Sequence, residues 1–223
     1  MSPARKTALT AGICYVLTFV SIPTLSLYGA VKDPGYILSA GPDTAAVLGA
    51  ALEMIVALAC IGTAVVLFPV VKRQNESLAL GFVGSRVLEA ATIYGGIACI
   101  LSIVTLRQSG AGAEALSTAH GLAILYDRLF LVGQSLVPSV NALLLGSLLY
   151  HSRLVPRILP LLGFTGAPLL VASTAVTVFD PSMRVSALTA LGALPIALWE
   201  FSLGVWLIVK GFKPSSITRD MDR

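Results

Sequence analysis

The chain has 223 residues, 56% of them hydrophobic and only 12% charged, with a formal net charge of +4. Soluble domains average about 25% charged residues, so half of that supply is missing, and the small positive balance points to neither a nucleic-acid partner nor an acidic substrate. Charge-free runs at 7–31, 54–71, 129–152 and 158–179 account for the deficit. Each is long enough, alone or with its flanks, to cross a hydrocarbon core about 30 Å thick as a helix.

The first run follows Arg5 and Lys6 and lasts 25 residues. It outlasts a signal-peptide core of about 7–15 residues and no small-x-small cleavage site ends it, so it reads as a first span over 8–31. Further spans are expected at 45–71, 79–106, 119–150, 156–179 and 187–210. Turn formers separate them: Lys32-Asp33-Pro34-Gly35, Lys72-Arg73-Gln74-Asn75, Gly110 to Gly112, and Asp180-Pro181-Ser182. The expected fold is all-α: one polytopic bundle of six transmembrane helices over 1–211, then a short polar tail over 212–223. Pro23, Pro138, Pro160, Pro168 and Pro195 interrupt spans, where kinks are the commoner use and broken helices lining a cavity the rarer one.

Lys and Arg are distributed unevenly between the two ends of the bundle. Ten fall at the N-terminus, the 72–78 loop, the 150–157 loop and the tail, against three (Lys32, Arg107 and Arg184) on the opposite side. The positive-inside rule then puts both termini in the cytoplasm of a cell-membrane protein, and six spans give the matching parity.

Six ionisable residues lie inside the expected spans: Glu53, Arg86, Glu89, Asp127, Arg128 and Glu200. A charge near the bilayer centre costs about 2.5–3.5 kcal/mol on insertion scales, so each marks a place worth explaining. Arg86 and Glu89 are three apart and share a helix face, with Gly81, Gly84 and Ser85 before them. Asp127, Gln134 and Asn141 recur every seven residues and form one polar stripe, drifting by about 20° per heptad. Such a stripe lines a wet cavity or bonds neighbouring helices, and three aligned polar groups favour the cavity. Glu53 follows Ala45 and Gly49, while Glu200 stands between Pro195 and Gly204, so both can face a close helix neighbour. Four acids against two arginines leave two surplus carboxylates, which suits a proton relay or a bound cation. Trp199, Trp206, Tyr94 and Tyr126 could wall such a site, though packing and interfacial anchoring are commoner uses.

Several kinds of chemistry lack their signatures. The chain has no His-Glu-x-x-His, no Gly-x-Ser-x-Gly and no P-loop. His120 and His151 stand at opposite ends of the fourth span, about 46 Å apart by helical rise, so they share no metal or haem. Cys14, Cys60 and Cys99 have neither disulfide nor metal spacing. No cofactor and no metal is expected. Two functions compete: a small carrier or proton-linked transporter using the buried carboxylates, and a non-catalytic sensor or lipid-, ligand- or partner-binding protein whose charges are structural ion pairs. An intramembrane enzyme using carboxylates ranks well behind. Expected partners are the lipid bilayer, then a small molecule, proton or cation, and a membrane-protein partner or second copy of the chain.

Four strings occur together in order: Leu67 to Lys72; Ser85-Arg86-Val87-Leu88-Glu89-Ala90; Tyr150 to Arg157; and Leu194-Pro195 through Glu200 to Phe212. In this the chain resembles a bacterial membrane family, domain of unknown function 4386, over nearly its whole length. The resemblance implies an integral membrane protein of several helices, with no established activity, cofactor or catalytic residue to carry over.

Overall fold

A computed structural model describes residues 1–180 and 187–221. The described residues are helical, without strands, and six helical segments are long and apolar enough to cross a bilayer. The first span begins as α1 (Pro3–Leu17), continues through a 3₁₀ turn at Thr18–Ser21, and ends in the short α2 (Thr24–Leu27). Pro23 removes a backbone donor at that break, so the expected single helix over 8–31 is two pieces. The second and third spans are α3 (Thr44–Val71) and α4 (Glu76–Gln108). The fourth comprises α5 (Leu116–Phe130), a π turn at Leu131–Leu136 and α6 (Val137–Ser152). The fifth and sixth are α7 (Ile158–Phe179) and α8 (Ala187–Val209), and a short α9 (Ser216–Met221) lies in the polar tail. Pro181, Ser182, Arg184 and Arg223, all used in the sequence reading, lie outside the described residues.

Local chemistry sets several helix ends. The Asn75 side chain accepts from the Leu78 N–H at 3.0 Å, and Glu76 opens α4 while Arg107 closes it, each matching the helix dipole. At the end of α8, Gly211 adopts φ 73° and its N–H returns to the Trp206 carbonyl at 3.1 Å. Arg5 donates to the Leu207 carbonyl at 2.8 Å and to the Ile208 carbonyl, placing a cation on the last turn of that helix.

The six spans form a closed ring in chain order, each packed against the next, with α8 returning to α1. Neighbours run antiparallel. The termini and the 72–75 and 153–157 connections share one side, here the near side; the 28–43 and 109–115 connections lie on the far side. Lipid supplies no hydrophobic drive between helices, so close approach depends on small residues. A Cβ on Gly12 would lie 2.7 Å from the Gly204 carbonyl oxygen, so α1 and α8 cross backbone to backbone. Leu58, Val65, Leu80 and Leu191 are exposed on the outside of the ring, where acyl chains replace water. Tyr15, Leu67, Phe82, Leu145 and Trp199 fill the interior on the near side.

Candidate functional site

Arg86 stands at the middle of the ring, about 15 Å along α4 from its near-side start. Its side chain is 1% exposed and serves two acids. One guanidinium nitrogen donates to Glu89 on the same helix at 2.9 Å, and another donates to Glu200 of α8 at 2.7 Å. Three more spans close around this group. Tyr15 of α1 lays its ring 5.1 Å from the guanidinium carbon, Cys60 of α3 approaches at 3.7 Å, and Asn141 of α6 donates to Glu89 at 2.7 Å. Two ionised carboxylates beside one guanidinium leave a negative charge in a low-dielectric centre, and a bound proton or cation would balance it. The Nε of Arg86 and the Oδ1 of Asn141 are buried and uncommitted among the described residues.

A second polar group lies seven residues back along α3 from Cys60, about 10 Å towards the far side. Glu53 is 1% exposed and accepts from two phenols, Tyr126 at 2.7 Å and Tyr28 at 3.1 Å. Gln134 stands near the same carboxylate. Two glycines seat the phenols: a Cβ on Gly49 would lie 2.4 Å from Tyr28, and one on Gly96 would lie 3.1 Å from Tyr126. The two rings meet edge to face, with centroids 5.3 Å apart.

Beyond these phenols, Lys32 forms an ion pair with Asp127 and places its ammonium 5.2 Å from the Tyr126 ring centre. Tyr28, Lys32 and Tyr126 also line a partly open cavity of about 350 Å³ in the far half of the ring. Phe130, Leu131 and Ser135 contribute from the fourth span, and Ser173, Thr174 and Thr177 from α7. The π turn shapes this wall. A Cβ on Gly133 would lie 1.8 Å from the Thr92 hydroxyl oxygen, so the turn presses directly on α4, and Thr174 donates to the Ser135 carbonyl at 3.4 Å.

The structure distributes the sequence-derived candidates between two groups. Arg86, Glu89, Asn141 and Glu200 meet at the centre; Glu53, Gln134 and Asp127 lie towards the far side. The Asp127-Gln134-Asn141 stripe therefore does not line one cavity: its members engage Lys32, Glu53 and Glu89 respectively. Arg128 is exposed and belongs to neither group. Successive helix residues point about 100° apart, so standing beside Asp127 in sequence takes it to another face. Lys32, Tyr28, Tyr15 and Cys60 complete the groups and were not among the candidates. Of the aromatic candidates, Tyr126 serves the far group, Trp199 packs in the core and Tyr94 is exposed. Among the described residues, no three His, Cys, Asp or Glu side chains converge as a metal site.

No curated protein and no solved structure matches the chain. A family model does: the one described as domain of unknown function (DUF4386) matches residues 10–211, a range that takes in most of the first span, the other five whole and every member of both polar groups. This chain belongs to that family of integral membrane proteins.

Proposed function

We propose that this protein is a small proton-linked carrier, multi-pass in the cell membrane with both termini in the cytoplasm. The observation that carries the reading is the buried Arg86, held between carboxylates on two different spans, Glu89 on α4 and Glu200 on α8. One guanidinium neutralises one acid, and a proton neutralises the other. A proton on Glu200 removes the charge that ties α8 across the ring to Arg86, and Pro195, five residues earlier, gives α8 a point at which to bend. Proton occupancy at the centre thereby alters how α8 is held across the ring from α4. The far-side cavity is the place for the solute, and Glu53 behind its two tyrosines is a second proton-holding group facing that half.

The test uses proteoliposomes with a pH dye in the lumen, challenged with small organic cations, small organic anions and neutral polyols. One solute class should change the lumenal pH beyond protein-free vesicles, and Glu89→Gln or Glu200→Gln should abolish that change. Proton flux unaltered in each of Glu53→Gln, Glu89→Gln, Asp127→Asn and Glu200→Gln would overturn the carrier reading. The double ion pair of Arg86 and the ion pair of Lys32 support a second reading, a ligand-binding sensor in which the charges fix helix packing. Solute binding without proton movement would select it.

A further inference from the structure

We propose that the far-half cavity takes a small organic ammonium ion carrying an apolar body, and that the Lys32 side chain is a tethered competitor for the position of its charged head. The inference names the solute class for the cavity and rests on the carrier reading only in treating that cavity as the solute site.

Eight hydroxyls line the cavity; six of them hold their protons in bonds to the protein, and Ser135 and Thr189 carry the other two. Four hydroxyls facing the cavity already donate their protons to helix carbonyls: Thr24 to Ser21 at 2.7 Å, Ser173 to Leu170 at 3.0 Å, Thr177 to Ser173 at 3.1 Å and Thr174 to Ser135 at 3.4 Å. Both phenols, Tyr28 and Tyr126, commit theirs to Glu53. These six oxygens can offer lone pairs to a guest but not protons. A guest bearing N–H donors therefore finds more partners than an acceptor-only guest, for which Lys32, Ser135 and Thr189 are the lining groups that carry protons. The remaining surface is apolar and aromatic, and a volume of about 350 Å³ lies at the small end of ligand cavities, which span about 300–1,000 Å³.

Lys32 shows what this environment selects. Its ammonium lies over the face of Tyr126 and against Asp127, the pairing of ring quadrupole and carboxylate that favours a cation. The side chain belongs to the far-side connection rather than to a span, and it is 24% exposed, so its flexible stem can withdraw the charge to water. A soluble ammonium ion entering the cavity would gain the same ring face and the same carboxylate, hydroxyl lone pairs for its remaining N–H groups, and Leu25, Phe130 and Leu131 against its apolar body.

Calorimetric titration in nanodiscs of zwitterionic lipid, with empty discs subtracted, tests this with three near-isosteric probes: 2-phenylethylammonium, 2-phenylethanol and 3-phenylpropionate. The ammonium ion should bind the unaltered protein about tenfold or more tighter than either other probe. Lys32→Gln, which removes the competitor, should tighten ammonium binding by about fivefold or more, and Asp127→Asn should weaken it by about tenfold. Tightest binding by the carboxylate, lost in Lys32→Gln, would overturn the proposal by making Lys32 an anion anchor. Equal binding of all three probes, or binding of none by either the unaltered protein or Lys32→Gln, would overturn it too. The probe comparison needs no substitution, so it stands even if a variant fails to fold. Ammonium binding without proton flux would sink the carrier reading and leave this inference intact; proton flux without ammonium binding would do the reverse.

Discussion

Asp43 and Glu53 lie ten residues apart at the far end of the second span, and their surroundings give them different work. Glu53 is sealed beneath two tyrosines, whereas Asp43 stands just before α3 and fastens the far-side connection. Tyr36 donates to Asp43, Gln108 donates to it at 2.9 Å, and Arg107 pairs with it at 3.0 Å while lying 4.5 Å over the Tyr36 ring. The hydrogen bonds from Tyr36 and Gln108, helped by the Arg107 charge, hold the Asp43 carboxyl below the usual carboxylate range. Burial and the bond to Asp43 push the Tyr36 phenol up to about 12. A depressed carboxylate contributes stability above its unfolded value of about 3.9 and loses it as pH falls through the folded value. A raised phenol contributes below its unfolded value of about 10 and loses it as pH rises through the folded value. The thermal midpoint of the unaltered protein in detergent should therefore exceed that of Asp43→Asn by a constant amount between about pH 5 and 10. Below about pH 4 that advantage should fade, and a difference persisting to pH 2 would contradict the latch. Tyr36 and Asp43 of this latch belong to a connection, where no helical period aligns them with Arg107 and Gln108 at the end of α4. The same reason hid Lys32, while Glu53, Glu89 and Glu200 stood out as charges inside apolar runs.

At the scale of elements, the fourth span departs most from a regular helix. The sequence expectation of one helix over 119–150 has no means of placing a π turn at Leu131–Leu136, because its cause is tertiary. Pro138 flags an irregularity, but the close approach of Gly133 to Thr92 on α4 becomes visible only when the two spans meet. Gly133→Ala should destabilise the protein by about 3 kcal/mol or more, read as a lowered unfolding midpoint in detergent, since the added carbon would have to displace packed atoms. Thr92→Ala should rescue it only in part, because the Thr92 Cβ would still lie 2.6 Å from the new methyl. Thr92→Gly, which removes that atom as well, should rescue it further. Gly84→Ala is the matched control: it lies in the interior of α4 with nothing within 4 Å of its Cβ position. That change should be neutral or stabilising by up to about 1 kcal/mol, the helix preference of alanine over glycine. Equal losses at Gly133 and Gly84 would show that close packing at the π turn is not what limits the span.

For the molecule as a whole, span number and fold class were legible because a bilayer imposes long apolar helices and leaves charges conspicuous. Which faces converge was not legible: depth along a span follows from counting residues, whereas rotation about its axis depends on contacts such as Gly12 with Gly204. Sidedness is set by the bias of Lys and Arg between the two sides. Of the three basic residues expected on the far side, Lys32 pairs with Asp127, Arg107 pairs with Asp43, and Arg184 lies outside the described residues. On the near side, Lys72, Arg73, Arg153 and Arg157 are exposed. The positive-inside rule counts Lys and Arg whatever acids they pair with, so the ten-to-three count, with the near side cytoplasmic, is the expectation to be tested. Single cysteines at Gln74 and Glu114, both exposed and in connections on opposite sides, read the outcome directly. Cys60 and Cys99 are buried and Cys14 is half-buried, so their background labelling should be low. In intact cells a membrane-impermeant maleimide should modify Glu114→Cys, and should reach Gln74→Cys only after permeabilisation. The opposite pattern would invert the protein and place the cavity half of the ring towards the cytoplasm.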